Sequence, residues 1–261
     1  MKSVIVIAGT ADSRQVITEL TRCGFRVIAT VATGFGKELL SEYQGVEIRE
    51  GRLGSEDMKL LIKETEAVCL VDASHPFARE VSLNALGACR ELDLPYLRYE
   101  REEVDSDDSN IVHAVDFEEA AQIASRLDGN ILLTTGSNTL GIFVNSIPDY
   151  KKRLFARVLP ESGVIRKCED LGLSANNIIA MKGPFTESMN IETIRYTNAS
   201  VLVTKDSGTA GGTREKLDAA KKMGISVIMI EKPRVQYSNI VKEINQVTAF
   251  VTRIADFGGI G

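Results

Sequence analysis

Val4-Ile5-Val6-Ile7-Ala8-Gly9-Thr10-Ala11-Asp12-Ser13-Arg14 opens the chain with a short run rich in Val and Ile, a loop of Gly and hydroxyl residues, and the start of a segment of helical period. The helical segment runs from Ser13 to Cys23, is closed by Gly24 as a C-terminal cap, and gives way to a second apolar run, Arg26 to Val31. Short β-branched runs joined by helices are the pattern of parallel strands with crossover connections, so this stretch predicts an α/β fold.

The alternation continues along the chain, and about ten runs read as strands. Those of the first half also include Val46 to Glu50, Ala67 to Asp72 and Pro95 to Tyr99, with a helix from Ser55 to Glu64 for which Ser55 is the expected N-cap. The second half holds Asn130 to Thr134, Arg153 to Val158, Asn177 to Ala180, Val201 to Thr204 and Ser226 to Ile230, and a helix from Ser238 to Phe257. Between the halves, Glu102 to Asn110 is acidic and small polar; it reads as a linker, the alternative being a long surface loop within one domain. The expected organisation is two Rossmann-like lobes, doubly wound with mainly parallel sheets, at 1–104 and 105–261. The second carries the terminal helix, and an active-site cleft lies between them. No fixed-period repeat is visible.

With 261 residues, 44% hydrophobic and 26% charged, the chain is long enough for a real core and unlike disordered or fibrous sequences. A formal net charge of -5 gives no general attraction to nucleic acid or an anionic membrane, so an anionic ligand must be met by local cations. Cys23, Cys69, Cys89 and Cys168 are scattered, with no C-x-x-C pair and no His cluster. They read as buried thiols in a reducing cytoplasm, and neither a zinc site nor a disulfide framework is expected. No apolar stretch approaches the ~20 residues of a membrane span, so a cytoplasmic location without a membrane partner is expected.

In open parallel sheets ligands bind outside the carboxyl ends of the strands, which selects the loops to read. Gly9, Thr10, Ser13 and Arg14 offer a phosphate a glycine, two hydroxyls, a helix N-terminus and a guanidinium, although a plain tight turn with a surface Arg uses the same residue types. The loop lacks the G-x-G-x-x-G order. After the second strand no acidic residue is present for the ribose hydroxyls; Thr33 and Lys37 instead tolerate a 2′-phosphate, which tilts the expectation toward NADPH.

The loop after Asp72 contains Ser74, His75 and Pro76, with Pro76 suited to a first helical turn. His75 suits phosphate binding, nicotinamide orientation or proton transfer, or else simple capping and packing. His113, on a predicted strand without polar companions, receives no role. Gly183-Pro184 begins a helix with Thr186 and Glu187 in its first turn, and in a functional reading shapes a pocket wall. The most informative loop is Thr204 to Lys216. Lys205 and Asp206 side by side at the end of a buried strand, followed by Gly208, Gly211 and Gly212, are costly for packing and suited to an anion-binding nest. Lys205 can carry charge or a proton there, and the order is not that of a Walker A loop.

Five strings in this order resemble the precorrin-6A reductase family, NADPH-dependent enzymes of cobalamin biosynthesis. They are Gly9-Thr10-Ala11-Asp12-Ser13-Arg14, Asp72 to Ala78, Arg98-Tyr99-Glu100-Arg101, Met181-Lys182-Gly183-Pro184-Phe185, and Lys205 to Leu217. The chain departs from the family's usual pattern with Asp12 for Glu and Glu102 for Pro, and it lacks a Gly before Gly9. The resemblance implies NADPH as hydride donor and a tetrapyrrole acid as acceptor, with one carbon-carbon double bond of (cobalt-)precorrin-6A reduced to give (cobalt-)precorrin-6B. It implies proton handling or acceptor binding by Lys205 and Asp206, and cofactor contacts at Gly9, Thr10, Ser13, Arg14, Thr33, Ser74, His75 and Pro76. Substrate contacts are implied at Ser207, Gly208, Gly212, Lys182, Gly183 and Arg98. Arg14, Arg98, Arg157, Lys182 and Arg214 are candidate partners for substrate carboxylates. No metal ligands are expected, since any cobalt arrives within the substrate, and the expected state is a monomer or weak homodimer. Two other readings stay open: a non-catalytic nucleotide-binding regulatory module, and a two-lobed transferase using a nucleotide sugar.

Overall fold

The structure, a computed structural model, describes residues 1–100, 110–206 and 212–257. Among them are twelve strands and eleven α-helices in two compact units, Met1–Glu102 with Arg234–Gly261, and Glu103–Pro233. The first unit contains β1 (Ser3–Ile7), α1 (Ala11–Arg22), β2 (Arg26–Val31), α2 (Gly34–Leu40), β3 (Val46–Glu50), α3 (Ser55–Thr65), β4 (Ala67–Asp72), α4 (Arg79–Glu91) and β5 (Tyr96–Tyr99). Residues of consecutive strands alternate between two cores. Val4, Val6, Val27, Ala29, Cys69, Val71 and Leu97 pack with Val16, Ile17 and Leu20 of α1. Ile5, Ile7, Ile28, Leu70 and Tyr96 pack with Met58, Leu61 and Ile62 of α3 and with Ala85, Ala88 and Cys89 of α4. A sheet buried on both faces needs such unbroken Val and Ile runs, each fully buried side chain contributing about 1.5–3 kcal/mol.

The second unit contains β6 (Ile111–Ala114), α5 (Phe117–Arg126), β7 (Asn130–Leu133), α6 (Leu140–Ser146), α7 (Tyr150–Arg153), β8 (Leu154–Val158), α8 (Ser162–Asp170), β9 (Ile178–Ala180), α9 (Glu187–Thr197), β10 (Ala199–Lys205), α10 (Thr213–Met223) and β11 (Ser226–Ile230). Leu132, Leu202, Val227 and Met229 pack against Ile194 of α9 and Leu217, Ala219 and Ala220 of α10. The buried Ala120, Ala121 and Ala124 let α5 lie close on β10 and β11.

The chain then returns to the first unit as β12 (Ile240–Val241) and α11 (Ile244–Phe257). This corrects the expectation that the terminal helix belongs to the second lobe. β12 pairs in parallel with β5, Ile240 opposite Arg98, and Val247, Val251 and Ala255, spaced four apart, bury one stripe of α11 in the core that holds α1. The first sheet is therefore ordered β12-β5-β4-β1-β2-β3 and the second β6-β11-β10-β7-β8-β9, every pairing parallel. Strand order reverses between β1 and β4 in the first and between β7 and β10 in the second, giving each sheet a switch point.

Smaller expectations also change. The helix expected from Ser238 begins only at Ile244, because Ile240 and Val241 are taken by the strand. The α3 N-cap is Gly54 rather than Ser55, its N–H donating to the Asp57 carboxylate at 3.1 Å. Pro76 lies in a turn ahead of α4, and Pro184, after a cis peptide, lies ahead of α9, whose N-cap is Thr186. Three cysteines are buried, but Cys23 is exposed. Most of the expected linker, 102–109, and Arg101 lie outside the described residues.

Candidate functional site

At the switch point of the first sheet, the loop after β1 is built around one hydroxyl. Ser13 Oγ accepts from the N–H groups of Gly9 and Thr10, both at 3.2 Å, and donates to the Thr10 carbonyl at 2.8 Å. Thr10 caps α1 by accepting from the Ser13 N–H and donates its own hydroxyl to the Ala73 carbonyl, tying the loop after β1 to the loop after β4. Ser13 is thus a fully buried structural cap, whereas Gly9 is exposed at φ +132° with nothing within 4 Å of where a Cβ would stand. The opening backbone and the N-terminus of α1 together form a surface that an anion can approach. Arg14 is half-buried one turn further on. Thr33 caps α2 through the Gly36 N–H, and Lys37 lies 3.4 Å from Glu50 in an exposed pair. His75 is half-buried with Nδ1 accepting from the Phe77 N–H at 3.2 Å, which fixes the ring in its turn.

Behind that loop lies a buried polar network in which one atom, Arg98 Nη2, has no hydrogen-bond partner among the described residues. Asp72 is fully buried. It accepts from Arg98 Nη1 (2.9 Å), the Ser74 N–H (3.0 Å), Ser82 (2.6 Å) and Tyr96 (2.7 Å). Arg98 also donates to Ser74 Oγ and Glu100, and lies over the ring of Tyr237, which stacks on Tyr96. Burial works against the Arg98 charge, but Asp72, Tyr237, Glu100 and Tyr96 outweigh it and its pKa lies above the ordinary value. Burial, then Asp72, raises the Tyr96 phenol, so it stays a neutral donor. Arg98 and Ser74, expected to touch ligands, are 0% and 5% exposed and join the ends of β4 and β5 through these bonds.

The end of the second sheet has a different balance. Arg157 on β8 is 6% exposed; it donates to the Asn190 side-chain carbonyl at 2.7 Å and lies 3.9 Å over the ring of Phe185. Among the described residues no carboxylate pairs with it. Burial alone pushes its pKa down to about 10. Gly183 leaves room for that ring, since a Cβ there would meet the Phe185 ring at 3.1 Å. Lys205, half-buried at the end of β10, is lowered by burial, and Lys216, 8% exposed in α10, is pushed down to about 8 by burial and then by Arg157 and Lys205, with Glu215 pulling the other way. Thr204 Oγ1 and Glu215 Oε2 are buried without a hydrogen-bond partner among the described residues. Holding the Arg157 charge buried against an amide and an aromatic ring costs several kcal/mol.

Asp206 is half-buried beside Lys205, and Gly212 is the left-handed cap of α10 at φ +64°. Ser207 and Gly208 lie outside the described residues. Lys182 is exposed, and Arg214 is a surface residue near Asp218. His113 does have a polar companion, Glu231 at 4.0 Å, but on the surface.

The structure also adds groups that the sequence did not single out. Lys216 stood within the Lys205 to Leu217 string without a role of its own. Asn190 and Phe185 acquire a role only through Arg157, and Thr134 to Thr139, a hydroxyl-rich turn around Gly136 (φ +85°), follows β7 directly at the second switch point. A Thr-Thr-Gly-Ser string behind an apolar run was the available signal.

Comparison with known proteins gives a consistent picture. The family described as precorrin-6x reductase CbiJ/CobK matches residues 3–252. The chain is 39% identical over 245 residues to a cobalt-precorrin-6A reductase of Priestia megaterium, covering 94% of this chain and 96% of that one. It is 38% identical over 258 residues to the cobalt-precorrin-6A reductase of Methanothermobacter thermautotrophicus, covering 97% and 84%. To a precorrin-6A reductase of Mycobacterium tuberculosis it is 31% identical over 234 residues, covering 89% and 90%. A solved structure described as CobK precorrin-6A reductase shares the fold, with a TM-score of 0.79, 23% identity and 97% coverage of both chains.

Proposed function

The chain belongs to the CbiJ/CobK precorrin-6x reductase family and is an oxidoreductase of cobalamin biosynthesis, and from that premise we propose that it reduces one carbon-carbon double bond of (cobalt-)precorrin-6A with NADPH, giving (cobalt-)precorrin-6B. The nicotinamide supplies a hydride to one ring carbon, and a proton is delivered to its neighbour. The observation that carries the cofactor reading is the first sheet's switch point, where the exposed Gly9 backbone, the start of α1 and the half-buried Arg14 meet the loop of His75. Those residues fit a nucleotide's phosphates. Thr33 and Lys37, with no acidic residue after β2 before Glu38, favour a 2′-phosphate over a free hydroxyl. Lys205 and Asp206 are the proposed groups for handling the proton or holding the acceptor, burial having lowered the Lys205 pKa toward a range in which it can donate. Gly212, Lys182 and Gly183 are proposed along the acceptor's path, with Ser207 and Gly208.

The cobalt form is the proposed acceptor, supported by 39% and 38% identity to two relatives of that name against 31% to a precorrin-6A reductase. The test is anaerobic oxidation of NADPH, followed by its near-ultraviolet absorbance, with each acceptor in turn and with Lys205→Ala beside the wild type. Turnover with the cobalt form that falls by roughly 100-fold or more in folded Lys205→Ala is the expected result. Binding of NADPH without turnover of either acceptor would return the chain to the non-catalytic module.

A further inference from the structure

We propose that Tyr237, on the segment that brings the chain back to the first unit, is a positioning residue for the cofactor: by fixing Arg98 it sets the turn after β4 against the loop after β1. This rests on the reading of the first sheet's switch point as the NADPH site. Tyr237 is delivered by β12, whose register places Ile240 opposite Arg98 and Val241 opposite Tyr99. The Arg98 N–H donates to the Asn239 carbonyl at 2.9 Å, the Glu100 N–H to the Val241 carbonyl at 3.0 Å, and the Asn239 side-chain amide to the Tyr96 carbonyl at 3.1 Å. The half-buried ring of Tyr237 then stacks on that of Tyr96, at 6.3 Å and 7°, and lies 5.4 Å from the Arg98 guanidinium carbon, within cation–π range.

Arg98 is the link between that ring and the cofactor loop. Its Nη1 reaches Asp72 at 2.9 Å and Ser74 Oγ at 3.1 Å, its Nε reaches Glu100 at 3.3 Å, and its Nη2 is buried with no hydrogen-bond partner among the described residues. The in-plane bonds leave one end of the guanidinium unheld, and the ring over its face is what opposes its tilting. Asp72 is steadied from the same side, since Tyr96, which stacks on Tyr237, donates to it at 2.7 Å. From Ser74 the restraint passes one residue each way. The Ala73 carbonyl accepts from the Thr10 hydroxyl at 3.1 Å, and His75 follows, its Nδ1 accepting from the Phe77 N–H at 3.2 Å. The turn is therefore tied to Thr10 on one side and, through Ser74 and Arg98, to Tyr237 on the other. Groups already in place bind a cofactor better than a turn that must be ordered on binding. A packing role alone is met by any apolar side chain of similar size, whereas the positioning role needs a ring.

Tyr237→Leu, Tyr237→Phe, Ser74→Ala and the double variant Tyr237→Leu with Ser74→Ala are compared with the wild type. NADPH is titrated through its nicotinamide fluorescence, its oxidation is followed against cobalt-precorrin-6A, and folding is checked by denaturant unfolding. Misplacement of the turn predicts a Kd and a KM for NADPH raised about tenfold in Tyr237→Leu and in Ser74→Ala, with kcat and the macrocycle KM changed by less than about threefold. Tyr237→Phe keeps the ring and the wild-type Kd. Because both side chains act through Arg98, the double variant binds NADPH less than about threefold more weakly than either single one, and the two losses do not multiply. A wild-type Kd in Tyr237→Leu overturns the proposal, and so do losses that multiply in the double variant. Should Tyr237→Leu fail to fold, Asn239→Ala, which releases the same segment from Tyr96, takes its place in the comparison with Ser74→Ala and is read by the same outcomes. A wild type that binds NADPH but reduces no macrocycle contradicts the reductase reading alone, and the Kd comparison still decides this one. A wild type that does not bind NADPH overturns the cofactor reading and this proposal together.

Discussion

Each unit buries an arginine near the carboxyl end of a parallel strand, and the two are held in opposite ways. Arg98 on β5 meets the Asp72 carboxylate at 2.9 Å inside a network that also engages Ser74, Ser82, Tyr96 and Tyr237. Arg157 on β8 meets an amide and an aromatic ring, and the charged side chains acting on its neighbour Lys216 include a second lysine. A carboxylate supplied by the fold makes the first arginine a structural brace. The second, with no carboxylate among its described partners, keeps its charge uncompensated by the fold. Neither burial nor residue type separates the two; the sign of the nearest partner does.

The largest effect expected from this contrast is on folding. Arg98→Met or Asp72→Asn leaves a buried charge or a broken acceptor set, and loses about 3–5 kcal/mol of stability, read by denaturant unfolding. Arg157→Met removes an uncompensated charge and leaves the unfolding midpoint unchanged or raised; a loss as large as that of Arg98→Met would erase the distinction.

Lys216 sharpens the contrast through pH. Its pKa falls from 10.5 to about 8 on folding, so below pH 8 both states are protonated and the folded state carries the whole cost, on the order of 3 kcal/mol. Between about 8 and 10.5 the unfolded chain binds more protons than the folded one, and stability from this group rises with pH. Lys216→Met is accordingly more stable than wild type at pH 7, by about 1–3 kcal/mol, with the advantage fading as pH climbs toward 10.5. A pH-independent difference contradicts this. The smallest effect belongs to the exposed pair on the first unit: Lys37→Ala leaves stability within about 0.5 kcal/mol and weakens NADPH relative to NADH by only a few-fold, measured as a ratio of dissociation constants.

The fold was largely legible because strands buried on both faces are continuous apolar runs, and Arg26–Val31, Val46–Glu50, Ala67–Asp72 and Ser226–Ile230 have the expected bounds. β12 was not. Ile240 and Val241 are a strand only by pairing with Arg98 and Tyr99, some 140 residues away in sequence, and no local period announces that. The return of α11 to the first unit follows from the same pairing.

Loops at strand ends were found by rule, but the duties of single residues in them were not. Ser13 and Ser74 were expected to face a ligand because hydroxyls at helix starts do so, yet each is consumed by its neighbours. Arg98 and Arg157 look alike in sequence, since their partners Asp72 and Asn190 lie 26 and 33 residues away. Lys216 lay within the Lys205 to Leu217 string but was given no role of its own, and nothing local marked it as buried, because a lysine in a helix is exposed far more often than buried.

The most direct test takes the two arginines together, measuring the unfolding midpoint and the KM for cobalt-precorrin-6A of Arg98→Met and Arg157→Met side by side. The account predicts a large loss of stability in the first, and in the second a KM raised by about tenfold or more with stability intact. Equal losses of stability with no separate change in KM would contradict it.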